Sequence, residues 1–226
     1  MEIYEKLWNE ALATFKDEGP RIDPHLSDKP NDLRRGVTLV CRPSGAVRNV
    51  IVDYIGRLKA ICPGQYFYWP EEMHVTVLSI ITMTEFWREE MKRFEASRPI
   101  FREVLTRQRP FKIQFRGITA APDSVMIQGF PVGDGLTVIR EALREAFARA
   151  GFGDILDRRY KVSAAHISIM RFCKECPEIR RLAAFLEESR QTPFGECEMT
   201  DLELIWSDWY ASAESVKKLE EYRLLF

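Results

Sequence analysis

The sequence predicts an α+β protein built from a duplicated unit, and two observations carry that expectation. The first is a pair of matching runs, His74-Val75-Thr76-Val77 and His166-Ile167-Ser168-Ile169, each reading imidazole, apolar, small hydroxyl, apolar. The second is the order of elements around them. Strand, helix, His-bearing strand, helix and strand occur twice, offset by roughly ninety residues, a repeat visible in element order rather than identity.

Each element has a local reason. Residues 2–18 place Ile3, Leu7, Ala11 and Phe15 at helical spacing, and Gly19-Pro20 ends that helix. Arg21–Arg34, Pro-bearing and poor in apolar residues, reads as a loop. The pair is expected to form an extension, residues 1–34, whose helix covers a sheet edge or a groove rim. Gly36–Cys41 is strand-like, and Ala46–Ile61 carries Val47, Ile51, Tyr54, Ile55 and Leu58 on one helical face. Tyr66–Trp69 leads through Pro70 into the first His strand. Thr82 and Glu85 have the spacing of a capping box for a helix over about 84–96. A second helical piece should follow Pro99, and Phe111–Phe115 alternates as a strand. Ser124–Phe130 then reads as a strand, Leu136–Ala150 as a helix ended by Gly151, and 177–190 as a helix after the second His strand. Residues 196–206 and 222–226 supply the final strands.

Composition narrows the function classes. A net charge of −1 excludes a wholesale basic protein of the kind that coats nucleic acid. No run of eighteen apolar residues occurs, and Met1–Lys6 has neither a basic n-region nor an apolar h-region, so a cytoplasmic location is expected. Five irregularly spaced cysteines do not form a secreted disulfide framework. Cys173-Lys174-Glu175-Cys176 has redox or half-zinc spacing, but no second such pair exists, and two buried thiols are the expectation. Gly133-Asp134-Gly135 lacks the third glycine of a dinucleotide fingerprint, since position 138 is Val, and reads as a turn and helix cap.

The chemistry concentrates in the paired runs. Side chains alternate along a strand, so His74 shares a face with Thr76 and His166 with Ser168, while the valines and isoleucines face a core. At the composition of this chain, two such matches among three histidines are about a one-in-a-thousand coincidence. Two imidazoles across a groove suit attack at phosphorus, one taking a proton from the nucleophile and the other protonating the leaving oxygen. The hydroxyls can donate to non-bridging phosphoryl oxygens, where charge builds in the transition state. No acidic cluster stands ready to hold a metal, and no cofactor is expected.

Two His-apolar-Thr/Ser-apolar tetrads about ninety residues apart resemble the paired signature of the 2H phosphoesterase superfamily. That group includes RNA 2′,3′-cyclic phosphodiesterases (the 2′-5′ RNA ligase-like proteins), cyclic nucleotide phosphodiesterases and AMP-binding relatives. The resemblance covers roughly residues 35–226. It implies a single bilobal domain over that range, lobe one about 35–122 and lobe two about 123–226. Each lobe would be an antiparallel-rich sheet with helices outside and a tetrad on a central strand, facing a shared groove. It implies catalysis by His74, Thr76, His166 and Ser168 on a 2′,3′-cyclic phosphate, with an RNA end or a small cyclic nucleotide as partner. Which histidine is acid stays open, as do a nucleotide-binding module with little turnover and a 2′-5′ ligase or end-trimming nuclease.

Further candidates surround the tetrads. Tyr68 and Tyr160 each stand six residues before a histidine and could meet a base or phosphate, or simply pack at the rim. Arg171 matches an arginine that often follows the second tetrad in the RNA-processing relatives. Simple parity puts it on the wrong face unless the strand bends. Ser79 occupies the equivalent place after His74, where many relatives have an aromatic residue, a departure that leaves the subfamily open. Arg98–Arg116 holds six basic residues, Arg98, Arg102, Arg107, Arg109, Lys112 and Arg116, against Glu103, so a basic patch beside the groove or a solvated face are both consistent with it.

Overall fold

The chain distributes its strands between two antiparallel sheets. The computed structural model describes residues 2–225. In chain order the elements are α1 (Glu2–Asp17), β1 (Arg35–Cys41), α2 (Gly45–Ile61), β2 (Tyr66–Phe67), β3 (Val75–Thr84), α3 (Trp87–Ser97), α4 (Pro99–Leu105), β4 (Phe111–Ala121) and β5 (Ser124–Val132). There follow α5 (Gly135–Arg149), β6 (Ile167–Arg171), α6 (Ile179–Glu188), β7 (Pro193–Met199), β8 (Asp201–Ser207) and β9 (Lys217–Arg223). One sheet has the order β3-β1-β8-β9 and the other β2-β6-β5-β4-β7. The α+β class and the doubled element order are therefore as the sequence predicts.

The lobes are not consecutive halves of the chain. Residues 35–122 give β1 and β3 to the first sheet but β2 and β4 to the second, and residues 123–226 are divided likewise. The expected boundary at 122/123 falls in the tight turn of a hairpin, where Ala121 faces Ser124 and β4 pairs with β5. Pairing between neighbours in sequence holds β5 in the second sheet, while β8 returns to pair with β1. The tetrad strands also differ from the expectation of two central strands: β6 is interior, but β3 is the edge of its sheet.

Smaller departures have local causes. The strand carrying the first tetrad continues to Thr84, so Thr82 is extended and the Thr82–Glu85 capping box does not form. Helix α3 starts at Trp87 with no side-chain cap, and Thr84 Oγ1 instead accepts from the Phe86 amide at 3.1 Å. Residues 196–206 are two strands, because the chain changes sheets at Thr200. The last strand is Lys217–Arg223; Phe226, placed in it by the sequence, lies outside the described residues. Cys176 is not a free thiol. It is disulfide-bonded to Cys62, their Cα atoms 5.8 Å apart, and Cys173 is half-exposed rather than buried. The pairing of β2 with β6 brings these distant segments together.

Helix α1 packs on the face of β4, not over an edge. Tyr4, Trp8, Ala11 and Phe15 are buried along it, as their spacing requires. The Tyr4 hydroxyl donates to the Gly129 carbonyl at 3.0 Å and accepts from the amides of Ala165 at 3.2 Å and Gly129 at 3.3 Å. Position 129 must be glycine, since a Cβ there would lie 1.9 Å from the Ala165 carbonyl oxygen. The first helix thus holds the backbone just ahead of His166. Tyr4→Phe should leave these buried backbone groups unpaired and cost about 1–3 kcal/mol in urea unfolding; a change below about 0.5 kcal/mol would contradict this anchoring.

Candidate active site

Strands β3 and β6 carry the same irregularity at the same place. Thr76 faces Val40 and Leu78 faces Leu39, which makes Val77 an extra residue. Ser168 faces Met126 and Met170 faces Val125, which makes Ile169 the extra one. Each bulge falls three residues after its histidine, and an inserted residue inverts the alternation beyond it. Ser79 and Arg171, each five residues after a histidine, therefore return to the side of the imidazole and hydroxyl. This is the bend that simple parity lacked.

His74 and His166 each immediately precede a strand, and they converge between the sheets. A cavity of about 160 Å³ is lined by both, together with Thr76, Ser168, Ser79 and Arg171. Buried Arg140 of α5 fixes the approach of the two chains. Its Nε donates to the Val77 carbonyl at 2.9 Å and Nη2 to Thr76 at 2.9 Å, while Nη1 and Nη2 reach Ser163 at 2.8 Å and Ala164 at 2.7 Å. One guanidinium thus holds the bulge of the first tetrad and the segment entering the second. Burial pulls its pKa down to about 10, which leaves it cationic at neutral pH.

The two imidazoles differ in their inner nitrogens. His74 Nδ1 lies 2.6 Å from the Glu72 carbonyl oxygen, whereas His166 Nδ1 is buried with no partner. Burial pushes both pKa values down to about 4. The Glu72 carbonyl opposes the shift at His74; the nearby positive charges of His74, Arg171 and Arg140 add to it at His166. Glu72 is itself buried, and its carboxylate accepts from Tyr66 Oη at 3.0 Å and from the amides of Trp69 at 2.9 Å and Ala213 at 3.1 Å. It therefore ties the turn before His74 to the loop after β8.

The remaining sequence candidates separate. Tyr68 is buried in the cavity wall, where its hydroxyl accepts from Arg171 Nε at 3.0 Å, and Arg171 Nη1 reaches Asp123 at 2.9 Å. Tyr160 sits at the rim, 62% exposed, so the two tyrosines are not equivalent. None of the six basic residues of Arg98–Arg116 lines this cavity. Arg98 and Arg102 are paired with Glu220, and Arg107, Arg109 and Lys112 border a separate depression by the Gly133–Gly135 turn. Arg140, Glu72, Asp208, Arg159 and Trp209 escaped the sequence reading, because a lone charged or aromatic residue outside a motif carries no local signal. Asp208 lines the cavity, but its carboxylate is occupied by the amides of Tyr210 and Ser212 and by the Ser212 hydroxyl. Among the described residues no cluster of three or more metal-ligating side chains occurs, and no helix is long and apolar enough to cross a membrane.

No protein-family model and no curated protein matches the sequence. Solved structures do match. A protein of Thermus thermophilus superposes with a TM-score of 0.61 at 17% identity, over 84% of this chain and 97% of its own. LigT of Escherichia coli, in a complex with 3′-AMP, gives a TM-score of 0.55 at 14% identity over 85% of this chain and 99% of its own. A structure described only as a phosphoesterase gives 0.54 at 15%, over 85% and 99%. The fold of this chain is that of LigT and of these other structures, and it is the two-sheet α+β fold that the resemblance of its paired tetrads implied.

Arg140→Met should remove the shared donor of four carbonyls and lower unfolding free energy by about 3 kcal/mol or more, since hydrogen bonds to charged groups are the strong ones. Arg140→Lys should recover only part, because one ammonium cannot span both chains. A loss below about 1 kcal/mol for the Met variant would show that the clamp is dispensable.

Proposed function

We propose that the protein is a metal-independent phosphodiesterase that opens 2′,3′-cyclic phosphates, at an RNA end or on a small cyclic nucleotide, by paired-histidine acid–base catalysis. One observation carries this reading: two imidazoles share a pocket but have opposite demands at their inner nitrogens. The Glu72 carbonyl accepts only an N–H, so neutral His74 is protonated on Nδ1 and offers the lone pair of Nε2. His166 Nδ1 has no acceptor, and a buried unpaired N–H is the costlier state, so its proton resides on Nε2. Neutral His74 is thereby the base, and His166, which has no lone pair free at Nε2, is the acid once it is protonated to the imidazolium.

In hydrolysis, His74 takes a proton from the water attacking phosphorus. The P–O3′ bond breaks in line, and the His166 imidazolium gives its Nε2 proton to O3′ and becomes neutral, leaving a 2′-phosphate. Thr76 and Ser168 donate to the non-bridging oxygens. Arg171, held by Tyr68 and Asp123, keeps Nη2 for the phosphoryl charge, and Tyr160 stands at the rim for the sugar or base. A nucleotide-like ligand is also supported by LigT, a protein of the same fold, whose structures hold 3′-AMP and phosphate.

His74→Ala and His166→Ala should each lose at least about a hundredfold in kcat, with the double variant well short of the product of the two losses. Thr76→Ala and Ser168→Ala should cost about 1–3 kcal/mol of barrier. EDTA should leave the rate unchanged. Folded histidine variants that hydrolyse cyclic phosphates at the wild-type rate would sink the proposal. A wild-type protein that binds nucleotides without turnover would establish a binding module instead.

The pH dependence has a definite sign. Catalysis needs one imidazole neutral and one protonated, and in the free protein both have pKa values of about 4. Accordingly kcat/KM should peak on the acid side of neutrality and fall as pH rises. A bound phosphoryl anion favours imidazolium, so kcat should peak at higher pH than kcat/KM. Coincident optima, measured where circular dichroism shows the fold intact, would contradict this desolvated pair.

A further inference from the structure

Beside the cavity over the histidines lies a second, larger one of about 610 Å³, and the two share Thr82, Met83, Arg159 and Trp209. The far wall of the second cavity is built by the N-terminal segment, through Arg21 and Arg34. That segment lies outside the 35–226 range of the tetrad resemblance, yet it is firmly docked. The Arg21 amide donates to the Pro122 carbonyl at 2.8 Å and the Asp23 amide to the Phe172 carbonyl at 2.9 Å, while Tyr210 Oη donates to Asp23 at 2.8 Å.

Its charge and aromatic surface point to a ligand. Asp23 is occupied by Tyr210 and the His25 amide, and Asp123 by Arg171 and Ser124, so both carboxylates of this wall are already engaged. Arg34 is paired with Asp32. Among the described residues, Arg21 and Arg159 have no carboxylate partner, and both are exposed. Lining both cavities is the half-buried ring of Trp209, with the Arg159 guanidinium 4.8 Å and the Arg34 guanidinium 5.1 Å from its centroid. A free guanidinium beside an aromatic ring, with a second one lining the same cavity, is what a single-stranded nucleic acid uses, phosphates meeting the cations and bases stacking on rings and guanidinium planes.

We infer that the N-terminal segment adds a second subsite, which takes the nucleotide preceding a cyclic RNA end, with Trp209 and Arg159 stacking its base and Arg21 meeting its phosphate. This rests on the phosphodiesterase reading of the first cavity and goes beyond it, because it makes the substrate an oligonucleotide end rather than a mononucleotide. The anionic chain would reach the reacting phosphate past the Arg159 rim, away from the Arg98–Arg116 stretch.

The test separates binding from turnover. Affinity for a three-nucleotide RNA ending in a 2′-phosphate is compared with that for a nucleoside 2′-monophosphate by calorimetry, at several salt concentrations. The trimer should bind about tenfold tighter or more, the scale of one stacked base. In the double variant Arg21→Gln, Arg159→Gln that advantage should shrink to about threefold or less. The slope of log affinity against log salt should fall by about 0.7 for each phosphate no longer met by an arginine. Equal affinities for the two ligands in the wild-type protein, which needs no variant to fold, would overturn the subsite. So would an advantage that persists in a double variant of native circular dichroism. A trimer that binds tenfold tighter, joined with no hydrolysis of its 2′,3′-cyclic form, would support the subsite while overturning the phosphodiesterase reading.

Discussion

The arrangement of the site depends on one buried cation. Arg140 is 4% exposed, and a guanidinium so placed is tolerable only because carbonyl dipoles replace the water removed from it. Four carbonyls do so, two from β3 and two from the chain leading into β6. The residues that supply them are not neutral choices. Val77 is the bulged residue of β3, and a bulge leaves ladder groups unpaired. The arginine donates to the Val77 carbonyl on this edge strand and, with the same planar fork, ties together the two chains that carry the tetrads. A residue with fewer donors could not link the two chains.

Around this clamp the duplicated unit gives a symmetric frame with asymmetric chemistry. Both tetrads have the bulge after the hydroxyl, and both bring the residue five past the histidine to the cavity. On one side that residue is Ser79, on the other Arg171, braced by Tyr68 and Asp123. The inner nitrogens differ in the same spirit, one tied to the Glu72 carbonyl and the other unpaired. A duplicated frame places two like groups symmetrically, and divergence at their neighbours makes the two imidazoles chemically different.

The N-terminal section is part of this frame. Its helix reaches the second tetrad through the Tyr4 hydroxyl, and its loop docks on the β4–β5 turn and on the chain leaving β6. Segments that would otherwise be an appendage therefore bear on both the support and the border of the cavity.

What the sequence determined by itself was local and periodic. The 3.6-residue stripes gave α1, α2 and α5, period-two alternation gave β4, and the tetrads announced themselves because His and hydroxyl at alternate positions share a face. Hence His74, Thr76, His166 and Ser168 were legible, and they do line one cavity. Only the tertiary structure decided how the halves interleave, because strand partners such as β1 and β8 are chosen by long-range pairing that leaves no local mark. The same is true of the bulges that turn Arg171 inward, the disulfide between Cys62 and Cys176, and the failure of the Thr82–Glu85 cap in a strand that runs on. Arg140 belongs to this second group. In the chain it is one arginine of an amphipathic helix, and its role arises only where two distant segments present carbonyls to one guanidinium.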